Sequence, residues 1–185
     1  MLYTRKGDKG TTATFSCDQR ISKSSAIAEA LGSLDEINSF LGLLKVKSEN
    51  IFFQLPDNKL SVSGTIEQIQ QDLFIIQAEL AGSDKTISAE KVLWLENITD
   101  GIEKMLPPIT TFFVSGGCEL AVLCDISRTI ARRAERRVVG VVDEGKITIG
   151  KDTLSYLNRL SSVLYAFARA SNFVHGIIEE SPKYK

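Results

Sequence analysis

Five arginines and one acidic residue are concentrated in residues 127–139, a pattern that could bind a polyphosphate. The arginines are Arg128, Arg132, Arg133, Arg136 and Arg137, and the acidic residue is Glu135. No residue in this stretch breaks a helix, and small or apolar residues recur at helical spacing, so the pattern predicts a helix with one buried face. Arg128, Arg132 and Arg136 then share another face, where guanidinium groups could hold phosphate oxygens through paired hydrogen bonds. On this stretch alone, a solvated cationic face with an Arg–Glu pair is the more typical interpretation.

A second group of candidate ligands lies near the N-terminus, where Gly7 and Gly10 flank Asp8 and Lys9, and threonines follow. Glycines let main-chain N–H groups approach an anion closely, and lysines supply positive charge. The segment has neither the GK[ST] order of a Walker A loop nor the GxGxxG pattern. Taken alone it is weak evidence for phosphate binding, and a mobile polar N-terminus is the alternative.

The composition is that of one ordinary soluble domain, with 185 residues, 43% hydrophobic residues and 24% charged residues. The net charge of −1 argues against nucleic acid as a partner, because any anion binding must come from local clusters. No apolar run is long enough to span a membrane, and the N-terminus lacks the apolar core of a signal peptide. Three widely spaced cysteines, Cys17, Cys118 and Cys124, indicate reduced thiols and a cytoplasmic location. The single histidine, His175, argues against a catalytic triad or a histidine metal site.

Helical periodicity predicts the elements that must position these candidates. Apolar residues at intervals of three and four predict five long helices, at about 25–45, 65–81, 88–105, 118–139 and 153–175. Residues 50–63 and 140–152 are predicted as loops, and 109–114 as a short extended segment that ends at two glycines. No strand-like alternation of useful length and no internal repeat occurs. The sequence therefore predicts an all-α, up-and-down bundle of five helices.

Several stretches together resemble one family, the PduO-type ATP:cob(I)alamin adenosyltransferases. They are YTRKGDKGTT, ALGSLDEINSFLG, IEQIQQDLFIIQAELA, the LPP…SGG passage, RTIARRAERRVV and YLNRLSSVLYAFAR. The resemblance covers almost the whole chain in the right order. It implies a five-helix bundle of the ferritin-like or cobalamin adenosyltransferase-like type, assembled as a homotrimer with active sites between subunits. The family transfers the 5′-deoxyadenosyl group of ATP to the cobalt of cob(I)alamin and releases triphosphate.

The resemblance also divides the chain and implies its ATP contacts. It implies a single domain over 1–185, with an ATP-binding loop segment at 1–23, a helical bundle at 24–175 and a tail at 176–185 that is expected to fray. The residues implied to bind ATP are Thr4, Arg5, Lys6, Gly7, Asp8, Lys9, Gly10, Thr12, Ala13, Lys23, Arg132, Arg133, Glu135, Arg136 and Asn158.

The residues implied to act in catalysis are Arg132, Phe112, Asp35 and Arg128. Phe112 matches an aromatic residue of the corrinoid pocket that helps to expel the lower cobalt ligand, although from the residues alone packing in the core is the preferred interpretation. Asp35 and Arg128 match a pair that bridges subunits in the family. Asp35 is predicted to lie amid the apolar face of the first helix, where a lone carboxylate would be costly.

Two departures from the family pattern fall near the implied corrinoid pocket. Ser162 stands where the family usually has an acidic residue, and CELAVLCDIS, residues 118–127, replaces small residues with a histidine. The Ser162 departure keeps open a catalytically weak carrier or sensor that binds ATP and corrinoid. A structural bundle that binds neither ligand is a further alternative.

The resemblance implies three small molecules, namely ATP as co-substrate, cob(I)alamin as substrate and Mg²⁺. No carboxylate cage for a metal is evident, so the phosphates, with Glu135 as a further candidate, are expected to hold the cation. Neither nucleic acid nor a membrane is expected as a partner. A reductase or an adenosylcobalamin-dependent enzyme is the class of protein partner that the resemblance implies.

Overall fold

Five long α-helices dominate the computed structural model, which describes residues 2–14, 20–145 and 147–184. The helices are α1 Ala26–Lys47, α2 Val62–Leu80, α3 Ala89–Glu103, α4 Glu119–Asp143 and α5 Lys151–Val174. Two short antiparallel ladders join β1 Thr11–Thr12 to β2 Ile21–Ser22, and β3 Phe52–Gln54 to β4 Lys59–Ser61. The predicted five-helix, all-α fold is confirmed, while Cys17 lies outside the described residues.

The helices pack around one apolar core, with α4 lying between α1 and α5. The remaining two helices complete the bundle, because α2 packs on α1 and α3 packs on α5. The buried face of α4 is the predicted one: Ser127, Ala134 and Val138 are fully buried. The arginines of α4 are therefore carried on a helix whose opposite face is fixed in the core.

Local sequence signals determine where α1 and α2 begin. The Ser25 side chain caps α1 by accepting a hydrogen bond from the Ala28 N–H at 3.4 Å. α2 begins at Val62, three residues before the predicted start, because the Ser61 side chain caps it and accepts from the Gly64 N–H at 3.2 Å.

The predicted loop at 50–63 is wrong in part, because β3 and β4 form a hairpin there. Only the central residue of β3, Phe53, is fully buried, and its ring packs edge-to-face on Phe167 of α5 at 5.8 Å between centroids. Strands of three residues are too short to produce the alternation by which strands are recognised in a sequence.

The predicted boundary at Gly140 is also wrong, because α4 continues to Asp143. Val141 is buried beyond that glycine, so core packing outweighs the weak helix propensity of glycine. The helix is followed by Gly145, which has a positive φ of 68°.

The tail predicted to fray is held in place at Glu179 and Glu180. Its Glu180 carbonyl accepts a hydrogen bond from the Val114 N–H at 2.8 Å, and Glu179 pairs with Arg169. Within the described residues, no helix combines the length and the apolar character needed to cross a bilayer.

Candidate functional site

A cleft of about 590 Å³ opens between α4, α5 and the irregular residues Ile109–Ser115, which we call the aromatic segment. Three of the four residues predicted for catalysis meet there, since Phe112, Arg128 and Arg132 all line the cleft. Ser162, one of the two departures from the family pattern, lines it as well. The cleft therefore combines a cationic wall on α4 with an apolar wall on the aromatic segment.

Arg128 is the more firmly held of the two cleft arginines. Its Nε donates to Asp125 Oδ1 at 3.2 Å, and its guanidinium lies 5.8 Å from the centre of the Tyr165 ring. Arg132, one turn further along α4, is exposed, and its carbonyl oxygen accepts from Arg136 Nη1 at 3.0 Å. Its guanidinium is thus available to an anion in the cleft.

Tyr165 contributes a neutral hydroxyl to the same cleft. Burial raises the pKa of Tyr165, and the charges of Glu179 and Asp125 raise it further, while Arg169 and Arg128 lower it. The phenol therefore stays protonated at neutral pH and can donate a hydrogen bond.

Phe112 does not pack in the core, which rules out the alternative interpretation of this residue. Its side chain is 78% exposed, the highest value among the apolar side chains of the aromatic segment. A phenylalanine exposed in this way, beside a cleft, is a surface that an apolar ligand can cover.

The other predicted ATP ligands of α4 lie on different sides of that helix. Arg133 forms an ion pair with Glu36 of α1. Glu135 accepts a hydrogen bond from Asn158 Nδ2 of α5 at 2.9 Å, and the Asn158 side-chain oxygen accepts from Arg159 at 2.7 Å. Glu135 and Asn158 thus contact each other, whereas Arg133 is engaged with α1.

The N-terminal segment forms a compact turn that closes on Lys23. The Gly10 N–H donates to the Gly7 carbonyl at 3.1 Å, and the Lys23 N–H donates to the Gly10 carbonyl at 2.9 Å. A Cβ at Gly7 would lie 3.1 Å from Lys23 Nζ, so the absence of a side chain allows the lysine to approach the backbone. The structure therefore brings together the loop and the downstream lysine that the resemblance paired.

The two groups of predicted phosphate ligands are separate within one chain. Across 2–14, 20–145 and 147–184, no hydrogen bond or ion pair joins the N-terminal turn to the arginines of α4. Asp35 likewise forms no ion pair with Arg128 in this part of the chain. Asp35 is exposed, so its predicted place amid the apolar face is wrong: the helical turn puts Leu34 and Ile37 inward and Asp35 outward.

The residues that hold the wall of the cleft were not predicted from the sequence. Asn172 of α5 accepts from the Cys118 N–H at 3.1 Å and donates to the Gly116 carbonyl at 3.0 Å. A Cβ at Gly117, where φ is +104°, would lie 2.1 Å from Asn172 Oδ1. The paired glycines, Gly116 and Gly117, indicated that another group lies close to the backbone there. Nothing in the sequence identified Asn172 as that group.

Arg169 was missed as well, although a signal for it exists. This arginine lies among buried apolar residues of α5 and is 6% exposed, which is typical of a charge with a fixed partner. Its Nε donates to Glu179 Oε2 at 3.0 Å. Glu179 lines the cleft, whereas Arg169 lines a smaller cleft of about 160 Å³.

Among the described residues, no group of three or more His, Cys, Asp or Glu side chains is placed to hold a metal ion. Glu135, the carboxylate suggested as a Mg²⁺ ligand, is instead bonded to the Asn158 amide. The described side chains thus form no preformed metal cage.

Comparisons with known proteins agree with this geometry. The sequence model of the family described as cobalamin adenosyltransferase matches residues 2–171. The corrinoid adenosyltransferase PduO of Citrobacter freundii is 39% identical over 92% of this chain, and the chain spans only 50% of that relative. The corrinoid adenosyltransferase of Bacillus subtilis is 36% identical over 95% of this chain and 89% of its own length.

Solved structures give the same result. One similar structure is the F112H variant of a PduO-type ATP:corrinoid adenosyltransferase from Lactobacillus reuteri, complexed with cobalamin and ATP. It has a TM-score of 0.86 and 30% sequence identity, and the match covers 99% of this chain and 97% of that one. The R132K variant of a PduO-type enzyme from the same organism, complexed with ATP, has a TM-score of 0.85 and 30% identity, over 98% and 100%. Since the family match covers nearly the whole chain and the fold agrees, this chain belongs to the cobalamin adenosyltransferase family.

Proposed function

We propose that this protein transfers the 5′-deoxyadenosyl group of ATP to the cobalt of cob(I)alamin, giving adenosylcobalamin and triphosphate. The observation that carries the proposal is that Arg132 and Phe112 line one cleft of about 590 Å³. One side chain suits an anionic leaving group and the other suits an apolar macrocycle. Similar proteins of known structure are complexed with cobalamin and ATP, which supports the same pair of substrates here.

The reaction requires positioning and charge stabilisation more than a protein nucleophile. Cob(I)alamin is itself a strong nucleophile: its cobalt electron pair forms a bond to C5′ of ATP, the C5′–O bond breaks, and its electrons leave with triphosphate. Arg132 is suited to bind the oxygens on which charge accumulates, because a guanidinium can donate two parallel hydrogen bonds. Its helix is fixed in the core, so little reorganisation is needed as charge develops.

Phe112 has a separate task in this proposal. Four-coordinate cob(II)alamin, without its lower ligand, is reduced more easily to the nucleophilic cob(I)alamin. An exposed aromatic ring at the edge of the cleft can cover the lower face of the corrin and exclude both water and the displaced base. Ser162, which lines the same cleft, is the observation that favours the alternative of a catalytically weak carrier or sensor.

We further propose that ATP is bound between subunits of a homotrimer, with residues 1–23 as its loop segment. Lys9 and Lys23 would contact the phosphates from one side, and the arginines of α4 from the other. The separation of these groups within one chain supports a site completed by a neighbouring subunit. Asp35, exposed on α1, would then meet Arg128 of the adjacent subunit.

Mg²⁺ would neutralise phosphate charge, and its ligands would come from the triphosphate, since the described side chains form no cage for it. Cys118 and Cys124 are free thiols, which supports a cytoplasmic location. A reductase that supplies the reduced corrinoid, or an enzyme that uses adenosylcobalamin, is the proposed class of protein partner.

The direct test incubates the purified protein with ATP, Mg²⁺ and chemically reduced cobalamin. An adenosyltransferase converts the absorption spectrum of cob(I)alamin into that of adenosylcobalamin and releases one triphosphate per product. A carrier or sensor binds both ligands without releasing triphosphate, and a structural bundle binds neither. Either of the last two outcomes would overturn the proposed activity.

A further inference from the structure

The chain turns sharply at the end of α5 and returns along the aromatic segment. The Gly176 N–H donates to the Phe173 carbonyl at 3.0 Å, and the Ile177 N–H donates to the Asn172 carbonyl at 2.9 Å. This pair of bonds, with φ of +66° at Gly176, is a Schellman motif that ends the helix and redirects the chain. Residues 177–180, which we call the strap, follow directly.

Arg169 connects the strap to the beginning of the aromatic segment. It donates through Nε to Glu179 Oε2 at 3.0 Å and through Nη2 to the Pro107 carbonyl at 3.2 Å. Its guanidinium also lies 5.1 Å from the centre of the Phe113 ring. One buried guanidinium thus binds the strap, the residues that precede the segment, and the segment itself.

A main-chain bond fixes the other end of the aromatic segment. The Val114 N–H donates to the Glu180 carbonyl at 2.8 Å, one residue beyond the carboxylate that Arg169 holds. Phe112 lies between these points of attachment, beside Phe113. The position of its backbone therefore depends on the strap as well as on α5.

Packing contributes little to holding the segment, which makes these polar contacts decisive. Ile109, Phe112 and Val114 are all at least half exposed. A second cleft of about 160 Å³ lies against Ile109 and Tyr165 and extends to Arg169, so empty space adjoins the segment there as well. The segment belongs to no helix or strand whose hydrogen bonds would fix its shape.

From these contacts we infer that Arg169, through its ion pair with Glu179, is a positioning residue that holds Phe112 at the edge of the corrinoid cleft. This inference rests on the proposed function, and it adds that displacement of the lower ligand depends on the strap. The pair is well suited to this task because both side chains are largely buried, at 6% and 17% exposure. Removing either partner leaves the other charge buried without its match.

The primary test compares Glu179→Gln with Glu180→Gln. Both remove one negative charge from the strap, but the Glu180 side chain is exposed, and Glu180 holds the aromatic segment only through its main-chain carbonyl. Hydrogen exchange without ligands should be about 10-fold or more faster for residues 109–115 in Glu179→Gln, the scale expected for losing a hydrogen bond between charged groups. Exchange in Glu180→Gln should equal that of the wild type.

The second readout separates positioning from general stability. With ATP saturating, Glu179→Gln should lower the share of four-coordinate cob(II)alamin detected by electron paramagnetic resonance and raise KM for the corrinoid. The dissociation constant of ATP should not change, because the proposed ATP contacts lie outside the aromatic segment. Arg169→Lys keeps the charge but loses the planar fork, and it should show the same pattern. It also provides a second variant if Glu179→Gln does not fold.

The outcomes distinguish this inference from the function on which it rests. If the wild type forms no adenosylcobalamin, the proposed function fails and the role of Arg169 fails with it. If the wild type is active but both variants match Glu180→Gln in exchange and in the cobalt signal, only the inference is overturned. A uniform loss of ATP affinity, corrinoid affinity and thermal stability would also overturn it, because that pattern indicates a purely structural pair.

Discussion

The cationic and apolar walls of the cleft are built in different ways. Arg132 is carried by α4, and its position follows from buried neighbours on the opposite face of the same helix. Phe112 is carried by a segment without regular structure, and its position follows from polar contacts to α5 and the strap. A wall set by core packing is rigid before any ligand arrives, whereas a wall set by a few polar contacts can be adjusted by single substitutions.

The strongest test of the rigid wall is Arg132→Lys. This change keeps the positive charge but removes the planar fork, so we expect the rate of adenosyl transfer to fall by about 10²-fold or more, the usual scale for losing one such donor. Thermal stability should barely change, because Arg132 is exposed. Single-turnover formation of adenosylcobalamin at saturating ATP measures the effect.

Arg137→Lys is the matched control, since this arginine is exposed on the same helix and lies outside the proposed site. If Arg132→Lys retains as much activity as Arg137→Lys, Arg132 supplies only diffuse charge. The arginine face would then be the solvated surface that is the more typical interpretation of the stretch by itself.

The N-terminal turn extends the comparison to a second irregular segment. Lys9 lies beside Gly10, whose φ of +73° shapes the turn that closes on Lys23. We expect Lys9→Ala to weaken ATP binding by about 1.5–3 kcal/mol, the range for a hydrogen bond to a charged group. Isothermal titration with ATP measures this, and circular dichroism should show unchanged helix content. Wild-type affinity for ATP would mean that the turn does not cradle phosphate.

Gly117→Ala tests the joint between the two walls, because Gly117 connects the aromatic segment to the start of α4. The added Cβ would meet Asn172 Oδ1 at 2.1 Å, and the positive φ of +104° is strained for any other residue. We expect a loss of about 1–3 kcal/mol in the free energy of unfolding. Gly140→Ala, where nothing lies within 4 Å of the new Cβ, should be neutral or slightly stabilising in the same denaturation experiment. Equal stability of the two variants would contradict the close contact between Gly117 and Asn172.

The wall set by core packing could be predicted from the sequence, whereas the wall set by polar contacts could not. Helical periodicity runs through the buried faces of all five helices, so the bundle and the inward face of α4 were predictable. The contacts that Arg169 makes to the strap and to Pro107 were not predictable, because they join residues 10 and 62 positions apart and no local pattern encodes such pairs. The β3–β4 hairpin was missed because its strands have only three residues each.

The smallest expected effect concerns the proposed assembly, in which Asp35 would meet Arg128 of a neighbouring subunit. If Asp35 were buried, losing its carboxylate would cost about 3–5 kcal/mol. Its side chain is exposed, however. Arg128 already pairs with Asp125 at 3.2 Å, so it retains a partner when Asp35 is lost. We therefore expect Asp35→Asn to weaken a trimer by about 1 kcal/mol or less per contact, as for a solvent-exposed ion pair.

Light scattering across a dilution series measures this effect, with Asp57→Asn, a change in the exposed turn between β3 and β4, as the control. The wild type should be trimeric at micromolar concentration, and Asp35→Asn should dissociate at a slightly higher concentration than the control. Since an exposed ion pair is screened, added salt should bring the two curves together. A monomeric wild type would refute the shared site, whereas complete dissociation of Asp35→Asn would show that assembly buries this carboxylate far more deeply than the isolated chain does.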